Sequence, residues 1–138
     1  MSDAALASAQ SAMVDVARQN LGPLRDRLTL IDGDAEMVPG ISSIAMPGHT
    51  PGHIALSVSS ENEQLLHIAD VVLHPLHFEH PDWIPILDLA LNNAASSKRR
   101  TADLAIEQDA LVFAHHFAPF PSLGRMRKLD SGWQWQPI

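Results

Sequence analysis

An α/β fold of the α+β kind is what this 138-residue sequence predicts: one mixed, mostly antiparallel sheet covered by helices on one face. Three observations carry the prediction. Between residues 28 and 69, short extended runs alternate with turn residues, the texture of hairpin-connected strands. Two segments of helical length, near residues 3–20 and 92–108, flank this region. The second is followed by a short apolar run at 111–113 that reads as a buried strand. Layers of this kind need only one core, and at this length a single domain over 1–138 is the expectation.

Taken in order, Ser2-Asp3 can cap a first helix running to about Asn20, with Met13, Ala17 and Leu21 on one stripe. Gly22-Pro23 punctuates it, Gly suiting a C-cap and Pro the first turn of a short following helix. Leu28–Ile31 reads as a strand stopping at Asp32-Gly33-Asp34. Glu36-Met37-Val38 stops at Pro39-Gly40, and Ile41 to Met46 is another extended piece. Ile54, Leu56 and Val58 alternate with Ala55, Ser57 and Ser59, so that strand has one apolar face. Glu61-Asn62-Glu63 then turns into Gln64–Ala69, which completes a hairpin. A long His- and Pro-containing loop follows from Asp70 to about Pro85, with Trp83 expected to pack beneath it. Beyond the second helix and Leu111-Val112-Phe113, strands around Met126 and Trp133-Gln134-Trp135 flank the turn Asp130-Ser131-Gly132.

Composition narrows the function classes. Hydrophobic residues make up 46% and charged residues 18%, a packed globular balance. The formal charge is −7, and Lys98-Arg99-Arg100 is the only basic run, read as a solvated helix face. Nucleic acid and anionic membrane are therefore not expected as partners. Without cysteine, thiolate metal sites and disulfides are excluded. No stretch reaches the ~18 apolar residues of a spanning helix, and no basic and apolar leader pattern opens the sequence, so a cytoplasmic location is the default expectation.

Eight histidines draw attention to where they stand. Pro47-Gly48-His49-Thr50-Pro51-Gly52-His53 is a turn stiffened by two Pro/Gly pairs, presenting His49 from rigid backbone. Ile68-Ala69-Asp70 is an apolar strand ending in a carboxylate, and Val112-Phe113-Ala114-His115-His116-Phe117 a buried strand ending in imidazoles. Imidazole and carboxylate are the donors used where zinc or iron keeps an open position for water.

These three elements, in this order, resemble the metallo-β-lactamase superfamily, and the resemblance extends from the first helix to the C-terminus. The Gly-His-Thr-Pro-Gly-His signature is its most specific part. The resemblance implies that His49 binds metal, that His53 does not, and that Asp70 bridges two metals, with Ala69 before it where the family more often has Gly. His116 corresponds best to the last metal histidine, because His-Phe-Ala-Pro-Phe-Pro-Ser-Leu-Gly resembles the family's closing segment; His115 is the competing assignment. The fold implied is one half of the αββα sandwich.

The family's His-x-His-x-Asp-His segment, which supplies four ligands, occurs nowhere in these 138 residues, and the chain begins about where the second half of that fold would begin. Each metal would keep one terminal ligand and the shared carboxylate, against the usual three protein ligands of catalytic zinc. His74, His77 and His80, just beyond Asp70, are candidate surrogates, with His74 and His77 the weaker site candidates carried forward; His67 reads as a surface position. The leading expectation is thus a truncated hydrolase-like chain, not catalytic alone, with a remnant site for zinc or another divalent metal of weak affinity, or none. Its rivals are a metal-dependent hydrolase of an ester, lactone or phosphoester completed by oligomerisation or a second chain, and a metal-free binding module. The loop after Asp70 is more similar to that of lactonase and organophosphate-hydrolase relatives than to that of true β-lactamases. A sheet face built to pack against the absent half leads to the expectation of a homodimer.

Overall fold

The computed structural model describes the backbone of residues 3–138 and the side chains of residues 11–138. It divides into two compact units, residues 1–31 and 32–138. In the first, helix α1 (Asp3–Leu21) runs directly into a short 3-10 turn, Gly22–Arg27, with Pro23 in its first turn, where a missing N–H costs nothing. The capping role expected of Ser2 lies outside the described residues. Gly22 continues the helical path rather than reversing it, since its φ is not positive. Leu28–Ile31 forms no strand: the run has no ladder partner and Leu30 is 91% exposed, so β-propensity without a neighbouring edge is not enough.

The second unit is a seven-stranded sheet in sequence order: β1 (Ala35–Val38), β2 (Ile41–Ala45), β3 (Ile54–Ser60), β4 (Glu63–His67), β5 (Leu111–Phe113), β6 (Leu123–Lys128) and β7 (Trp133–Pro137). All neighbours pair antiparallel except β4 and β5, which are parallel. Parallel strands need a crossover, and here residues 68–110 provide it, carrying α2 (Leu76–Glu79) and α3 (Leu91–Glu107). Because β2 and β4 both run antiparallel to β3, the C-terminal ends of β2, β4 and β5 lie along one sheet edge. That is the topological reason the three sequence motifs meet.

The sheet has unlike faces. One is the core: Ile44, Ala55, Leu66, Val112, Trp133 and Trp135 are buried together with Phe78 of α2, Ala102 and Ala105 of α3, and Phe117. Ala55 rather than its larger neighbours occupies that side of β3. On the other face the register aligns Ile41, Val58, Leu65 and Leu111 in one row, and Leu56, His67, Phe113 and Leu123 in the next. All eight are only half-buried. The alternation in β3 was legible, but its apolar row faces away from the helices.

Helix α3 buries Ala94, Ser97, Lys98, Thr101, Ala102 and Ala105, a stripe at three- and four-residue spacing. Lys98 falls on that stripe, which overturns the reading of 98–100 as a solvated basic face: its side chain is fully buried. Its ammonium donates to the Trp83 carbonyl at 2.7 Å and stands 4.0 Å from Asp88. Arg99 and Arg100 do reach the surface, pairing with Asp82 at 2.7 Å and Asp34 at 2.5 Å. Arg100 also donates to the Ala45 carbonyl, while Asp34 accepts the Ala45 N–H, so the end of β2 is clamped to the helix. Trp83 is exposed rather than packed under the loop, and stacks on His80 with ring centroids 4.2 Å apart.

Candidate metal centre

Three turns at the shared sheet edge build the site. The 46–53 turn is closed by the Met46 N–H donating to the His53 carbonyl at 2.8 Å. It is fastened to the approach of α3 by Ala90 N–H to Gly48 O (2.8 Å), Leu89 N–H to His49 O (3.1 Å) and Ser97 Oγ–H to Pro47 O (2.6 Å). A Cβ on residue 48 would come within 2.9 Å of the Ala94 backbone, so only glycine permits this approach. His49 is therefore presented from a braced loop.

Asp70 follows β4 through a turn in which Val71 N–H donates to Ile68 O at 3.1 Å. Ala69 carries the reversal with φ 43°, a left-handed conformation that is cheap for glycine and costs an L-residue about 1–2 kcal/mol. The Ala-for-Gly departure noted in the sequence thus falls where the backbone favours glycine. The Asp70 N–H donates to His53 Nε2 at 3.2 Å, so the signature's second histidine links the two turns. Burial pushes the His53 pKa below its ordinary value, with Asp70 opposing, and its buried Nδ1 has no protein partner. His115 and His116 follow β5, their turn closed by Phe117 N–H to Ala114 O (2.7 Å) and Ser122 Oγ–H to Phe117 O (2.6 Å).

The structure brings Asp70, His115 and His116 together, one donor atom from each lying within 4.8 Å of the others. Asp70 Oδ1 is 2.9 Å from His116 Nε2 and 3.4 Å from His115 Nε2. Ligands at ~2.0–2.2 Å around one tetrahedral zinc stand about 3.3–3.5 Å apart; the His115 contact is already at that spacing, whereas the hydrogen-bonded Asp70–His116 pair would have to open slightly to admit an ion. Among the described residues this is the one group of three or more such side chains so arranged. His49 meets it through Asp70 alone, its Nε2 3.8 Å from Oδ2. The alternatives His115 and His116 are thus both at the carboxylate.

His74 and His77 are not in this group. Their rings lie 6.2 Å apart, His74 Nδ1 accepts the Leu76 N–H, and His77 Nδ1 is buried with no partner. Burial, with Lys98 adding to it, holds the His77 pKa below its ordinary value. His67 is half-buried, stacked on Phe113 at 5.0 Å and 6.2 Å from the His115 ring. Burial first, then His115, lowers its pKa.

Sequence reasoning missed Asp88. It is buried, its Oδ1 lies 3.3 Å from His49 Nδ1, and its Oδ2 faces Lys98. It stands 39 residues from His49 in an unremarkable Leu-Asp-Leu context, so only the chain fold pairs them.

The sheet, with imidazoles and a carboxylate at its strand ends, has the fold of the metallo-β-lactamase-superfamily hydrolases. The chain's homologues include the N-acyl homoserine lactonase of Bacillus cereus, 32% identical over 88 residues, which are 63% of this chain and 34% of that protein. Among solved structures, AidC, a dizinc quorum-quenching lactonase in complex with a product, is 28% identical with a TM-score of 0.79, covering 91% of this chain and 42% of AidC. The hydrolase AbOPH of the β-lactamase superfamily shares the fold at 23% identity and a TM-score of 0.78, over 95% of this chain and 46% of its own. No family model matches the chain. The chain matches about a third of the length of its curated relatives and under half of these structures.

Proposed function

We propose that this chain carries one ligand-bearing part of a lactonase-like metal centre, holding a single divalent cation through Asp70, His115 and His116 with His49 alongside. The observation that carries this is the convergence of three donors, one atom from each within 4.8 Å of the others. A cation held there would supply Lewis acidity toward a carbonyl oxygen and would lower the pKa of water bound to it. The chain's own residues orient it: Asp70 Oδ1 is hydrogen-bonded to His116 while Oδ2 faces His49 at 3.8 Å, and His53 fixes the Asp70 backbone. Asp70, His115 and His116 are each a third or more exposed at the side chain, so solvent competes for the ion and affinity is weak.

Lactone hydrolysis by the 138 residues alone is not expected, because one small-ion cluster lacks the second position of a dizinc lactonase. Zinc titration calorimetry at neutral pH, with an N-acyl homoserine lactone turnover assay, tests the reading. About one equivalent at micromolar affinity, lost in Asp70→Ala and without turnover, supports it. No uptake would remove the metal reading and leave a metal-free binding module. Turnover rising with the square of protein concentration would favour the rival in which a second copy completes the site.

The half-buried rows Ile41–Val58–Leu65–Leu111 and Leu56–His67–Phe113–Leu123 bear on self-association. No formal charge interrupts either row, so two copies can meet there without like-charge repulsion. The occupant we propose for this chain by itself is a second copy. Light scattering at micromolar concentration should give twice 15.0 kDa, and a monodisperse single-chain mass would overturn it.

A further inference from the structure

We infer that Asp88 is a positioning residue: it holds His49 as the Nδ1–H tautomer and aims Nε2 at Asp70, with Lys98 as its buried counter-charge. The inference rests on the metal-centre reading for its purpose but not for its geometry. His49 lies between two carboxylates, and the distances tell them apart. Nδ1 to Asp88 Oδ1 is 3.3 Å, within hydrogen-bond reach, whereas Nε2 to Asp70 Oδ2 is 3.8 Å, beyond it. A neutral imidazole has one ring N–H, which belongs at the nitrogen that has an acceptor. The lone pair of Nε2 then points to the open side.

Burial agrees with this division of roles. The Asp88 side chain is 2% exposed and the Asp70 side chain 34%. A buried carboxylate is an acceptor that water cannot displace, and it needs compensation. Lys98 supplies that from the other side, burial pushing its ammonium below the ordinary pKa while Asp88 opposes the shift. The pairing is also braced through the backbone. The residue after Asp88 donates its N–H to the carbonyl of His49 itself, and Asp88 N–H donates to Pro85 O at 3.0 Å. Ring and carboxylate are thus tied to each other by main chain as well as by side chain. Carboxylate-to-imidazole contacts of this kind fix the tautomer and orientation of a ligating histidine.

The test is nitrogen-15 NMR of the histidine rings in metal-free protein at pH 8, with zinc titrations alongside. Asp88→Ala leaves the Lys98 ammonium buried without its counter-charge, with the Trp83 carbonyl as its remaining partner, and can unfold the chain. The variant of choice is therefore Asp88→Leu with Lys98→Met, which replaces the pair by apolar groups of similar bulk. The native protein should show His49 as the Nδ1–H tautomer, Asp88→Asn should keep it, and the double variant should convert it to Nε2–H. An Nε2–H tautomer in the native protein, or no change in the double variant, overturns the inference. These readings need no metal, so failure of zinc to bind would count against the proposed function alone. In titrations the double variant should bind zinc about tenfold more weakly, and no further loss should appear in a His49→Ala background. Unchanged affinity in the double variant, or an equal loss without His49, would equally overturn it.

Discussion

His49 and His116 face different oxygens of the same aspartate, yet they are held in different ways. His49 rises from a turn hydrogen-bonded to the approach of α3, its inner nitrogen on buried Asp88 and fully buried Lys98 behind that. His116 sits beyond the end of β5, nearly half exposed, with Asp70 as its hydrogen-bond partner and the His115 ring 4.1 Å away. One side is preorganised by the interior, and the other is free to adjust to whatever it binds. The difference teaches that donor geometry alone does not describe a centre: rigidity comes from the layer behind the donors, and here only one side has that layer.

Substitutions should separate the two sides sharply. Asp88→Ala strands a buried ammonium and is expected to cost about 3–5 kcal/mol of folding stability. His116→Ala removes an exposed ring and should change stability by no more than about 0.5 kcal/mol while weakening zinc binding. Urea denaturation of both, beside calorimetry, checks this; equal losses of stability would erase the contrast.

Acid should lower stability through the partly buried histidines. His53 and His77, and His67 on the open face, are all held below the ordinary histidine pKa mainly by burial. Below the ordinary histidine pKa of 6.5 the unfolded chain takes up protons that the folded chain refuses. Stability is therefore full above about pH 6.5 and is lost as pH falls through the depressed folded values. Asp34, lowered chiefly by the Ala45 N–H, adds a loss in the same direction only below its ordinary value of 3.8. Urea midpoints at pH 7.5 and 5.5 should differ accordingly, and His77→Leu should shrink the difference. A midpoint independent of pH would show that these rings are not buried as neutral groups.

The smallest effect concerns the turn that carries Asp70 between the two sides. Ala69→Gly relieves a left-handed alanine, offset by the greater freedom of glycine in the unfolded chain, for a net gain of up to about 1 kcal/mol. A loss on thermal denaturation would mean that the methyl group packs usefully despite its backbone.

Much of this was legible from local pattern. Alternation in residues 54–60, turn residues at 39–40 and 61–63, and the spacing of small residues after 91 marked strands, hairpins and helix, because pleat and helical period are properties of contiguous chain. The strand-end placement of His49, Asp70, His115 and His116 was legible for the same reason, and strand order then put those ends on one edge. What the fold alone decided were relations across long separations. Leu28–Ile31 has strand propensity but no partner strand, and the apolar row of β3 faces away from the helices because the face of a sheet that is covered depends on the crossover. Lys98 looked like part of a charged face until its position on the α3 stripe buried it. Asp88 became the acceptor for His49 only when the hairpin, loop and short helix between them, a separation of 39 residues, brought the two together. Sequence by itself determined which residues could be donors, since that is chemistry carried by each side chain. The tertiary structure decided which donor is held rigid, since rigidity comes from neighbours that the chain supplies only once it has folded.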